Sequence, residues 1–148
     1  MEPSGPWDQN RVDEFLEATT VPVRIGCRTP RDAPWIVSLW FSWDGAINCA
    51  TSADADLVDF LSHDDHVSFE VSTNDPPYKG VRGRGHAAVS VDEDKTLLRT
   101  LLVRYLGGVD NEVGDRLLRP EREEVRVRIE PERLHTWDYS KRMPTTED

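Results

Sequence analysis

Ile36-Val37-Ser38-Leu39-Trp40-Phe41-Ser42-Trp43-Asp44-Gly45-Ala46-Ile47-Asn48-Cys49-Ala50-Thr51 is the stretch on which the fold turns. A dense run of β-favouring residues leads into Asp-Gly, a dipeptide suited to a two-residue hairpin turn because both positions tolerate positive φ. A second apolar run follows, so the segment predicts strand, turn, strand over 36–51. Upstream, Val23, Ile25 and Cys27 alternate with Arg24, Gly26 and Arg28, the period of a half-buried strand. The proline-containing turn 29–34 joins that strand to the hairpin.

Further out the pattern changes period. Val12, Phe15 and Leu16 predict a short amphipathic helix over 8–18, and 1–7 reads as a loose arm. Leu57, Val58, Phe60 and Leu61 predict a helix over 55–61, and Val67 to Val71 a strand. Asp75-Pro76-Pro77 breaks the chain. From 80 to 91 one face of a strand carries Val81, Gly83, Gly85, Ala87, Val89 and Val91, and the other Arg82, Arg84 and His86. The leucine pairs of 95–106 predict a helix stopped by Gly107-Gly108, and 111–118 a second short one. Val125, Val127 and Ile129 mark a last strand over 124–130, and 134–139 an extended aromatic tail, with 142–148 disordered. The fold class is mainly β, a single domain over 1–148. About six antiparallel strands with interspersed helices favour a closed or nearly closed barrel, since closure removes edge strands.

Composition narrows the function. The 148 residues hold 28 Asp and Glu against 18 Lys and Arg, a net charge of −10. That field repels polyanions, so neither nucleic acid nor an anionic membrane is an expected partner. The acidity suits a halophilic, salt-rich cytoplasm, where screening relieves self-repulsion. No apolar run reaches a membrane span, and residues 1–10 lack a signal pattern, so a cytoplasmic location is expected. Cys27 and Cys49 are expected as reduced, buried thiols.

Against this acidic background, Lys79, Arg82, Arg84 and His86 follow one another with no acid among them. Arg82 and Arg84 point the same way about 6–7 Å apart, which suits the oxygens of a phosphate or carboxylate. The alternative is pairing with acids of a neighbouring strand or subunit. Thr51 and Ser52, ahead of a helix, offer hydroxyls and N–H groups that either receive a phosphate or cap the helix. His63-Asp64-Asp65-His66 reads as a solvated turn, since four successive residues cannot all aim at one ion, and no metal site is expected. No hydrolase or nucleotide-triphosphatase motif occurs. Trp35, Trp40, Trp43 and Trp137 are expected in the core rather than against a cofactor.

The order of these pieces resembles the pyridoxamine 5′-phosphate oxidase-like family of flavin-binding split barrels. The likeness rests on Val37 to Phe41, Cys49 to Ser52, the segment Asp75 to Gly85 with its Pro-Pro-Tyr-Lys-Gly-Val-Arg core, Leu101 to Gly107, and Trp137-Asp138-Tyr139, and covers about 20–141. It implies a six-stranded split β-barrel forming a homodimer with two cofactor clefts at the subunit interface. By the same resemblance, Ser38, Leu39 and Trp40 would face the isoalloxazine ring of FMN, Thr51 and Ser52 its phosphate, and Lys79, Arg82 and Arg84 would complete the anion site or hold substrate. His86 is the only nearby acid or base. The implied function is a flavin- or deazaflavin-dependent oxidoreductase acting on a small organic substrate. Its rival is a non-catalytic dimeric module binding a flavin, haem or similar planar anion. One segment departs from the pattern: Ala53-Asp54-Ala55-Asp56 stands where many relatives carry Arg or Lys after the hydroxyl pair. Carboxylates there cost a phosphate about 1 kcal/mol or more each when partly buried, which sets F420 and haem beside FMN as cofactors.

Overall fold

A computed structural model describes residues 2–143. The chain runs α1 (Gln9–Ala18), β1 (Val23–Arg28), β2 (Pro34–Leu39), β3 (Ser42–Trp43), β4 (Ile47–Ser52), α2 (Asp56–His63), β5 (His66–Ser72), β6 (Lys79–Val91), α3 (Thr96–Leu106), α4 (Glu112–Leu117) and β7 (Glu124–Asp138). All strand pairs are antiparallel, in the order β2-β1-β5-β6-β7-β4-β3. The first and last strands of that order are successive in sequence. The step from Leu39 to Ser42 spans at most about 11 Å, so the two sheet edges meet and the sheet curls into a split barrel.

That closure corrects the expected strand count from six to seven. Residues 36–43 form two strands rather than one, because β2 pairs with β1 up to Leu39 while β3 pairs with β4 from Ser42. Trp40 and Phe41 carry the chain across the gap. Phe41 turns inward and is fully buried. Its N–H donates to the Tyr105 hydroxyl at 3.2 Å, and that hydroxyl lies 3.1 Å from the Val21 carbonyl. A residue of α3 thus satisfies backbone groups that the ladder leaves open.

The expected last strand and aromatic tail are one strand, β7, which pairs with β6 along its length and with β4 over Ser52 to Ile47. Its register slips where Arg84 faces Arg133 and Gly85 faces Pro131, so Glu132 is the extra residue of a bulge. Proline is tolerated at such a point because the ladder is already interrupted. The 2–7 arm is pinned, contrary to expectation. Ser4 bridges to His135, and Trp7 is buried with its ring 5.0 Å from Phe15 of α1. Of the 142–148 tail, residues 144–148 lie outside the described residues.

The core follows from the alternation. Val23, Ile25, Cys27, Val67, Phe69, Val71, Val81, Ile47, Cys49, Val127 and Ile129 point into the barrel. Both thiols are free and buried. Leu97, Leu98, Leu101 and Leu102 of α3 are buried in contact with β4, and both oxygens of Asp92 accept the Leu97 and Leu98 N–H groups at 3.0 Å. No described helix is long and apolar enough to cross a membrane.

Candidate functional site

Four of the sequence-predicted residues meet in one cleft of about 460 Å³. Ser38, Leu39 and Trp40 from the end of β2 form one wall and Thr51 of β4 another, with Leu98 and Leu101 of α3 between them. Val113, Arg116 and Leu117 of α4 and Arg122 and Glu124 at the start of β7 close it. The volume and the mixed lining are those of a small-molecule site. Trp40 lies face to face with Tyr105, centroids 5.2 Å apart and planes 11° apart. It is therefore a wall of the cleft and not barrel core, unlike Trp43, which is buried. Asn111 caps α4 through the Gly114 N–H at 2.7 Å and so fixes the helix that presents Arg116.

The hydroxyl pair is divided by the pleat. Thr51 lines the cleft, whereas the Ser52 hydroxyl accepts the Asp54 N–H at 3.3 Å and closes a turn. Ala55, the N-cap residue of α2, offers no side-chain cap, and the first turn of the helix holds Asp56 and Asp59. These carboxylates already complement the helix dipole. Asp54 and Asp56 are exposed, so water screens their repulsion of any nearby anion.

Arg116 and Arg122 bring two guanidinium groups to the wall of the cleft. Arg122 Nε donates to Glu124 at 2.7 Å, and the Glu124 side chain is only 1% exposed. Burial raises the Glu124 pKa, and the bond from Arg122 offsets only part of that rise. Its Oε2 has no hydrogen-bond partner among the described residues. Glu124, in the cleft wall, is therefore a carboxyl group with raised proton affinity and one buried oxygen that has no partner among the described residues. Neither residue carried a sequence signal, since one Arg lies on a six-residue helix and the other in a charged turn.

Arg82 and Arg84 lie on the exposed face of β6, as the alternation requires. Together with Arg133 and His135 of β7, Ser4 and Ser68 they line a second hollow of about 320 Å³ with no acid in its wall. Among the described residues no carboxylate comes within 4.0 Å of either guanidinium. Glu70 stands opposite Arg82 in the ladder but accepts the Ser72 hydroxyl at 3.0 Å, while Arg82 lies over the Trp137 ring at 5.7 Å. Lys79 belongs elsewhere, facing Asp138 across the ladder. Burial would raise the Asp138 pKa, but hydrogen bonds from Ser140 and Trp7 and the Lys79 charge hold it below the usual value. The cleft and the basic hollow share no wall residue.

His86 lines neither. Its Nδ1 lies 2.9 Å from Asp65 and its Nε2 2.6 Å from Glu132. The Asp65 hydrogen bond raises its pKa against the opposing effect of partial burial, with Glu132 adding to the rise. Opposite it in the ladder is His66, ring centroids 4.2 Å apart. The 63–66 turn thus has a neighbour that linear spacing could not reveal.

This architecture is a split β-barrel, the fold shared with solved structures that include a putative pyridoxamine 5′-phosphate oxidase. Solved structures of that fold match it along most of its length. A conserved hypothetical protein of Mycobacterium tuberculosis superposes with a TM-score of 0.77 at 22% identity, over 97% of this chain and 92% of that one. An F420 reductase gives 0.69 at 20% identity, over 82% and 94%. A putative pyridoxamine 5′-phosphate oxidase of Listeria innocua gives 0.62 at 17%, over 86% and 95%. No protein-family model matches the chain, and no curated protein matches it.

Proposed function

We propose that the chain is a cytoplasmic, homodimeric oxidoreductase of the split-barrel class that uses a flavin such as FMN, or the deazaflavin F420, on a small organic substrate. The observation that carries this reading is the cleft itself, which gathers Ser38, Leu39, Trp40 and Thr51 from distant positions beside two arginines. The likeness of the fold to an F420 reductase and a putative pyridoxamine 5′-phosphate oxidase supports the cofactor class. The donor set fits such a group: apolar Leu39, Leu98, Leu101 and Trp40 for a flat ring, with Thr51, Arg116 and Arg122 for a phosphate. When bound, the cofactor supplies the hydride or electron transfer. The chain's own residues orient it, exclude water through the leucines and Trp40, and hold a proton on Glu124.

In the dimer, the Arg82 and Arg84 shelf of one protomer closes over the cleft of its partner and receives the anionic part of cofactor or substrate. This arrangement explains why the two hollows share no wall within one chain. Fluorescence and visible titrations with FMN, F420 and haem test the reading. Saturable flavin or F420 binding is expected, with Arg116→Ala weakening it at least tenfold because a charge-assisted contact is lost. Absence of binding by any of the three would refute a cofactor site, and binding without turnover under a reductant would favour the non-catalytic module.

A further inference from the structure

We propose that Asp65, His66 and His86 form a surface site for a borderline divalent transition-metal ion, of which Zn²⁺ is the representative. One donor atom from each of the three lies within 4.8 Å of the others. The two histidines are directly opposed on β5 and β6, so their side chains rise from the same face of the sheet. Between them sits the Asp65 carboxylate, 2.9 Å from His86 Nδ1 and 3.8 Å from His66 Nδ1. A tetrahedral ion with ligand bonds of about 2.0–2.1 Å needs donors about 3.3–3.4 Å apart. Closing that gap moves only exposed side chains, since the His66, His86 and Asp65 side chains are 71%, 45% and 51% exposed.

The backbone around the donors is fixed. The Ala87 N–H donates to the Asp65 carbonyl at 2.9 Å, tying the turn to β6 beside His86. Asp64 accepts the His66 N–H at 3.0 Å. On the far side of His86, Glu132 holds Nε2 at 2.6 Å, the outer carboxylate that sets the tautomer of a metal-binding imidazole, so that Nδ1, on the Asp65 side, is the atom that exchanges its hydrogen bond for the ion. Glu132 reaches that position because it is the extra residue of the β7 bulge, and bulges commonly re-aim side chains. Two imidazoles and one carboxylate select zinc-like ions over Mg²⁺ and Ca²⁺, which take oxygen shells. Asp64, Asp65 and Glu132 place three carboxylates around two imidazoles in a chain of net charge −10, a field that concentrates cations.

Titration of the full chain with ZnCl₂ in a non-chelating buffer, followed by calorimetry, tests the site. One Zn²⁺ per chain is expected, with His66→Ala and His86→Ala each weakening binding at least tenfold and Glu132→Gln by about tenfold. MgCl₂ should give no heat, and His63→Ala should bind as the parent does. Unchanged circular dichroism of the variants secures the comparison. The proposal is overturned if the parent chain takes up no Zn²⁺, or if removing either His66 or His86 leaves the affinity unchanged.

Discussion

At the scale of the residue, Glu124 is an acidic side chain only 1% exposed. A carboxyl group buried this fully is stabilised as the neutral acid, and Arg122 compensates through one oxygen only. With its folded pKa raised above the unfolded value of about 4.3, the native state binds the proton more tightly than the unfolded chain does. The resulting stability is fully present below the unfolded pKa and is lost as pH rises through the folded one. Glu124→Gln cannot ionise, so its stability relative to the parent should increase as pH rises from about 4 towards neutrality. Urea midpoints for both proteins across that range measure it. A gap that stays constant with pH would mean that Arg122 neutralises Glu124 completely.

At the scale of the element, the strand β6 shows what the sequence could and could not convey. Its alternation was legible because one face must be small and apolar to pack and the other is free to carry charge. Its glycines let the backbone of the neighbouring strand come close. A Cβ on Gly85 would stand 2.1 Å from the Glu130 carbonyl oxygen, and one on Gly83 2.4 Å from that of Arg133. Backbone on the neighbouring strand cannot yield as a flexible side chain would. Gly85→Ala should therefore cost about 2 kcal/mol or more, whereas Gly108→Ala, with nothing within 4 Å, should leave the denaturation midpoint nearly unchanged. Equal midpoints would show that the bulge relaxes freely. What stayed hidden depends on register and closure. Residues 36–43 satisfy β propensity throughout, and only the exchange of β1 for β4 as neighbour breaks them at Trp40 and Phe41. Arg116, Arg122 and the His66 and His86 pair become neighbours of their sites through tertiary contacts no local pattern encodes.

At the scale of the whole molecule, the proposed association would set exposed apolar surface against charge. β5 stops pairing with β6 at His86, so among the described residues the strand from Ala88 to Val91 has β7 on one side and no strand on the other. Val89 and Val91 are 39% and 66% exposed there. An open strand edge with exposed valines is a surface that a second chain can cover. Opposing this is the approach of two bodies each carrying −10. Salt acts on the two effects differently: the screening length falls from about 10 Å at 0.1 M to about 3 Å at 1 M, while apolar burial does not weaken. Sedimentation equilibrium should therefore report a species of twice 16.9 kDa whose dissociation constant falls as salt is raised. Changing Val89→Asp and Val91→Asp together should shift the equilibrium towards monomer even at high salt. A dimer indifferent to both would place the interface on another face, and a monomer at every salt concentration would remove the composite cofactor site.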